Sequence, residues 1–143
     1  MLGQLRLALA QVNPPVGDIV GNCWLVENAV ARAADEGAHV VVFPEMVVTG
    51  YPVEDLALRP SFSKASTTAI TSMAASLAAQ GYGEQVGFVG YLDEDLKFVN
   101  RLGQLQGAPQ NAVEVIHDGV IKARYRKNQL RNNGVLDAYG NFV

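Results

Sequence analysis

Two side chains suited to acid–base work stand at the ends of segments that read as extended. They are Glu45 in "FPEMVVTGYP" (Phe43 to Pro52) and Lys127 at the close of "IKARYRK" (Ile121 to Lys127). A carboxylate just past a strand end occupies the place where open α/β sheets collect reactive groups, beyond the carboxyl ends of their strands. Apolar neighbours would desolvate Glu45 there, a setting that suits a general base; the alternative is a carboxylate that caps or braces the loop. In an extended segment alternate residues share a face, so Lys122, Arg124 and Arg126 group on one side and Tyr125 with Lys127 on the other. The first three are expected in water. Lys127 is the one placed to point inward, toward a carboxylate or a developing oxyanion, unless it too is solvated.

Other chemistries lack their residues. His39 and His117 stand far apart, without cysteine or carboxylate at ligand spacing, so no zinc site is expected. Neither G-x-x-x-x-G-K-[ST] nor G-x-G-x-x-G occurs, which removes both common nucleotide-phosphate loops. The single cysteine, Cys23, cannot form an internal disulfide, in keeping with a reducing compartment. It reads as a small, semi-buried hydrophobe at the start of a helix.

The elements that must position Glu45 and Lys127 follow from periodicity. Leu5, Leu7 and Leu9 alternate with Arg6, Ala8 and Ala10 as in a strand, and the small alanines predict that something packs closely on their side. "NPPVGDIVGN" (Asn13 to Asn22) reads as a loop. From Cys23 to Glu36, Leu25, Val26, Ala29, Val30, Ala33 and Ala34 recur at helical spacing, with Asn22 as N-cap and Gly37 as stop. "AHVVVF" (Ala38 to Phe43) is continuously apolar, as a strand buried on both faces should be. Together they make a βαβ unit with a parallel pair. A second helix is expected from Pro60 to Ala79, a third strand from Gln85 to Leu92, and a hairpin turning at Asp118-Gly119 within Asn111 to Lys127.

Composition is compatible with one domain: 143 residues, 49% apolar, are enough for one sizeable core. The net charge of −3 comes without a run of like charge, so nucleic acid is not an expected partner. Gln4 and Arg6 interrupt the apolar start, which reads as a strand rather than a leader. No apolar run approaches the roughly 20 residues that cross a bilayer. A cytoplasmic protein without membrane contact is the expectation.

These stretches resemble the carbon–nitrogen hydrolase (nitrilase) superfamily, and within it the N-terminal part of the glutaminase domain of glutamine-dependent NAD synthetases. The match is carried by "ALAQVNPPVGDIVGN", "VVFPEMVVTGYPVEDLALRPSF", "NAVEVIHDG", "YRKNQL" and "NGVLD". The resemblance implies an α/β fold, a four-layer α-β-β-α sandwich of which residues 1–143 form about the first half, with the ATP-dependent synthetase domain absent. It implies a Glu–Lys–Cys triad that hydrolyses glutamine to supply ammonia for amidation of deamido-NAD. Glu45 aligns with the general base, Lys127 with the lysine that stabilises the tetrahedral intermediate, and Tyr51 and Asn133 with substrate-binding positions.

The family's nucleophilic cysteine lies downstream of the lysine, past Val143, and Cys23 matches no motif. The chain is therefore expected to be inactive alone. No cofactor is expected in it, ATP and Mg being implied only for the synthetase domain. Where the family reads Leu-Pro-Asn-Tyr-Gly-Val-Phe-Asp-Glu, this chain has Arg131, Asn133, Leu136 and Ala138 in place of Pro, Tyr, Phe and Glu, which removes an aromatic wall and an anchor for the substrate's amino group. Half a sandwich exposes a sheet face, so self-association or pairing with a separate C-terminal half is expected. The alternatives are a non-catalytic remnant acting as an association module, and a fragment of another amidase.

Overall fold

The computed structural model describes residues 3–99 and 105–127. In chain order these form β1 (Leu7–Leu9), α1 (Ile19–Asp35), β2 (Val40–Val42), a 3-10 turn (Glu54–Leu58), α2 (Pro60–Ala79), β3 (Val86–Val99), β4 (Leu105–His117) and β5 (Val120–Arg126). The five strands make one sheet in the order β1-β2-β3-β4-β5. β1, β2 and β3 run parallel, and β3, β4 and β5 are joined antiparallel. The expected βαβ unit is present, and α2 has the expected bounds.

α1 begins earlier than its apolar spacing predicts. Asp18, not Asn22, is the N-cap, its carboxylate accepting from Gly21 N at 3.0 Å. Gly21 reads as a turn residue in the sequence yet lies inside the first turns of the helix. Asn22 is fully buried there, its Nδ2 donating to Pro15 O at 2.8 Å and Val48 O at 3.2 Å. It thus fastens the loop before α1 to the segment after β2. An amide buried for that purpose resembles a cap in sequence because both uses need a short polar side chain.

Both helices cover the same face of the sheet. Val26 and Val30 of α1 and Ile70, Met73 and Leu77 of α2 pack with Val41, Val89, Tyr91 and Ile116 in one core. Each such side chain contributes about 1.5–3 kcal/mol of hydrophobic stabilisation. Ala8 and Ala10 turn toward this core, so the small side of β1 is the covered side, as expected.

The opposite face has no helix among the described residues. Register places Leu7 with Val40 and Val86 there, and Leu9 with Val42, Phe88 and Val115. Leu7 is 52% exposed and Leu9 73%. β2 is accordingly not buried on both faces: Val41 is, whereas Val40 and Val42 are half-buried. The β3–β4 hairpin is also longer than its alternation suggests, because charged and glycine-proline stretches beyond Leu92 and before Asn111 pair as strand.

Candidate active site

Glu45 is placed by a chain that leaves β2 but stays against β3. Phe43 N donates to Phe88 O at 3.1 Å, and Val48 N to Gly90 O at 3.1 Å. Between them the backbone crosses directly over Gly90. A Cβ at position 90 would stand 2.4 Å from Met46 N and 2.9 Å from Pro44 O, so any side chain there would displace the segment that carries Glu45. Met46 takes a left-handed φ of 53°, a conformation that costs a non-glycine residue about 1–3 kcal/mol. Its burial with Val53, Ala57 and Leu92 offsets that cost. The reversal lets Met46, Val47 and Val48 go inside while Glu45 stays at the surface.

Lys127 is placed by the hairpin. Asp118 and Gly119, with φ of 54° and 73°, supply the two left-handed residues a tight hairpin turn needs. Val115 stands opposite Ala123 but Ile116 opposite Ile121, so Lys122 is an extra residue in β5. The strand then runs to Arg126 opposite Ala112, and Lys127 N donates to Asn111 O at 2.9 Å.

The two side chains, 82 residues apart in sequence, meet: Lys127 Nζ lies 2.6 Å from Glu45 Oε1. Their side chains remain 36% and 42% exposed. Glu45 is therefore not desolvated as the sequence suggests, because its end of the sheet faces outward with nothing over it among the described residues. A pair this exposed adds about 0.2–1 kcal/mol to stability. Its consequence is orientation, a cation and a carboxylate held side by side.

Asn111, to which sequence reasoning assigned no role, donates from Nδ2 to the same oxygen of Glu45. The signal that could have found it is its place in alternation with Val113 and Val115, a polar residue in an apolar row. An open groove of about 290 Å³ lies here, lined by Phe43, Glu45, Gly90, Asn111, Tyr125 and Lys127. Tyr51 packs beside Met46 and Val53 and is not among the groove's lining residues. Asn133 lies outside the described residues.

Arg124 and Arg126 do not simply stand in water. On the helix-covered face Arg124 reaches Glu114 Oε1, through Nε at 2.8 Å and Nη2 at 2.6 Å, and Arg126 reaches Asp93 Oδ2 at 3.1 Å. Both acids are buried, and Tyr91 Oη donates to Glu114 Oε1 at 2.8 Å. Burial first, and then that hydrogen bond, push the Tyr91 phenol far above its ordinary range. Sequence alternation assigned the arginines their shared face correctly; it could not show that the same face carried acids from β3 and β4.

Cys23 lies half-buried against the core. Burial, with Glu27 adding to it, pushes the thiol up to about 11 from 9.0. At pH 8 its thiolate fraction is about a hundredfold below that of an unshifted thiol. Iodoacetamide alkylation of the native chain is expected to be slower by about that factor than after urea unfolding, read by mass spectrometry; equal rates would place Cys23 in a reactive setting. Among the described residues no cluster of His, Cys, Asp and Glu could hold a metal, and no helix is long and apolar enough to cross a membrane.

Comparison with known proteins places the chain in a family. The carbon-nitrogen hydrolase family model matches residues 6–140. The glutamine-dependent NAD(+) synthetase of Thermotoga maritima is 37% identical over 134 residues, 94% of this chain and 21% of the relative. That of Xanthomonas campestris pv. campestris is 36% identical over 138 residues, 93% of this chain and 22% of the relative. The chain thus spans about a fifth of the length of these relatives. Among solved structures, the glutamine-dependent NAD+ synthetase of Acinetobacter baumannii superposes with a TM-score of 0.79 at 28% identity, covering 97% of this chain and 24% of that one. An amidase from Nesterenkonia sp. AN1 superposes at 0.74 with 22% identity, covering 98% and 49%, a likeness of fold. By sequence and by an α/β fold that forms part of a nitrilase-like domain, the chain belongs to the carbon–nitrogen hydrolase family.

Proposed function

We propose that these residues form the first part of a glutamine-hydrolysing site of the glutamine-dependent NAD synthetase type, with Glu45 as general base and Lys127 as the cation for the tetrahedral intermediate. The observation that carries the proposal is the contact of Lys127 Nζ with Glu45 Oε1 in a groove at the rim of the sheet. The reaction needs a nucleophile. Cys23 is unsuited, being packed in α1 and held protonated. The thiol is thus supplied by polypeptide other than these 143 residues, which would pack on the open sheet face and bring it to Glu45.

In that arrangement Glu45 takes the thiol proton as sulfur attacks the side-chain amide carbon of glutamine. Lys127 stabilises the oxyanion, the proton passes to the leaving nitrogen, and ammonia departs from a thioester. Water, activated by the same carboxylate, then releases glutamate and restores the thiol. ATP and magnesium would serve only the separate ligation step that amidates deamido-NAD.

The exposed apolar face of Leu7, Leu9 and their neighbours also favours a second reading, an association module that pairs without catalysis. One experiment separates the two. Residues 1–143 are joined in frame to the sequence of the Thermotoga maritima relative that follows its matched segment, and ammonia release from glutamine is measured. Release supports the amide-hydrolysing site. A folded product that amidates deamido-NAD with free ammonia yet leaves glutamine intact, even with Asn133→Tyr and Ala138→Glu, would overturn that reading in favour of the module.

A further inference from the structure

Asn111 contacts both members of the candidate pair by different parts of itself. Its side-chain amide donates to Glu45 Oε1, and its main-chain carbonyl accepts from Lys127 N at 2.9 Å. Asn111 is only 7% exposed, although the Glu45 and Lys127 side chains are 42% and 36% exposed. An amide is suited to this place. It does not titrate, so its donor is present at every working pH, and it is neutral, so it brings no second charge to compete with Lys127.

Both donors fall on one oxygen of the carboxylate, Oε1. We infer that Asn111 is a positioning residue that clamps Glu45 through Oε1, fixing Oε2 as the oxygen that accepts the nucleophile's proton. For that chemistry the inference rests on the function proposed above; the clamp itself is measurable without it. Two donors on Oε1 remove rotation of the carboxylate as a way of exchanging its oxygens, whereas Lys127 alone, on a flexible four-carbon stem, would follow either one.

The test uses the 143-residue chain. Lysines are acetylated with a limiting amount of N-hydroxysuccinimidyl acetate, and labelling of Lys127 is read by mass spectrometry as a ratio to that of exposed Lys64. Glu45→Gln should raise the ratio roughly threefold, the share an exposed ion pair can protect. Asn111→Leu and the smaller Asn111→Ser should each raise it roughly twofold, because an unclamped carboxylate holds the amine less of the time. Val113→Ala, a packing lesion on the same strand and face, should leave the ratio unchanged.

An unchanged ratio in Glu45→Gln would overturn the pairing and the clamp together. A raised ratio in Glu45→Gln with no change in either Asn111 variant would overturn the clamp alone and leave the pair standing. An equal rise in Val113→Ala would also overturn it, because general loosening of the strand would then explain the effect. Failure of the joined protein to hydrolyse glutamine would remove the proposed reaction without touching any of these ratios.

Discussion

Glu45→Gln in the joined protein is expected to lower the rate of ammonia release from glutamine by roughly 10³-fold, within the span that one general base supplies. The substitution is nearly isosteric and keeps an oxygen that can accept from Asn111 and Lys127, so the fold and the groove should survive it. What it removes is the capacity to hold a proton. The loss is therefore expected in kcat, with KM for glutamine little changed. Steady-state kinetics on the purified variant check this. A fall of less than about tenfold would reduce Glu45 to a brace for its loop, the alternative its sequence position leaves open.

The second large effect concerns the other face of β5. Arg124→Leu leaves Glu114, which is fully buried, with Tyr91 as its remaining partner. Breaking a buried ion pair from one side costs about 3–5 kcal/mol. Because the Arg124 side chain is itself 41% exposed, the lower end applies, about 3 kcal/mol, which corresponds to a Tm lower by roughly 10 °C in a chain of this size. Thermal melts of the variant read it directly.

Tyr91 adds a pH dependence to the same network. Its folded-state value is raised above the ordinary 10.0, so the folded chain binds the phenolic proton more tightly than the unfolded chain. Its contribution is whole below pH 10 and falls as pH rises beyond it. Tyr91→Phe should therefore lose about 1–2 kcal/mol near neutrality, where Glu114 is left with Arg124 as its one partner, and should show a shallower decline above pH 10. Urea titrations from pH 8 to 11 give both numbers. Parallel curves for the two proteins would contradict the coupling.

Period and turn chemistry were readable in the sequence wherever a local pattern decides the structure. α2 shows this, with Pro60 at its first turn, and so does the Asp118-Gly119 hairpin. They stop being readable where one element's role depends on another. Asn22 has the appearance of a cap, but its burial depends on Pro15 and Val48, one of them 26 residues away. Val40 and Val42 look buried because a triple-valine run usually is, yet both α-helices among the described residues lie on one face of this sheet. Arg124 and Arg126 read as solvated because nothing in β5 announces the acids waiting on β3 and β4. Glu45 and Lys127 were legible as candidates through motif resemblance; that Asn111 joins them depended on the register of β4 against β5, which no local pattern fixes.

The bulge at Lys122 has a consequence for how this chain can vary. Side chains on a strand alternate, so whether Lys122 bulges out or takes a place in the ladder decides which way everything after it faces. With the bulge, the two arginines lock the back of β5 and the amine emerges in front. Were Lys122 instead paired opposite Val115, every later residue would move one place along β4 and the amine would turn behind the sheet, toward the buried acids, without altering the turn or any residue of the Glu45 loop. The identity of the cation at the groove is thus set by where the ladder bulges as much as by the residues in it.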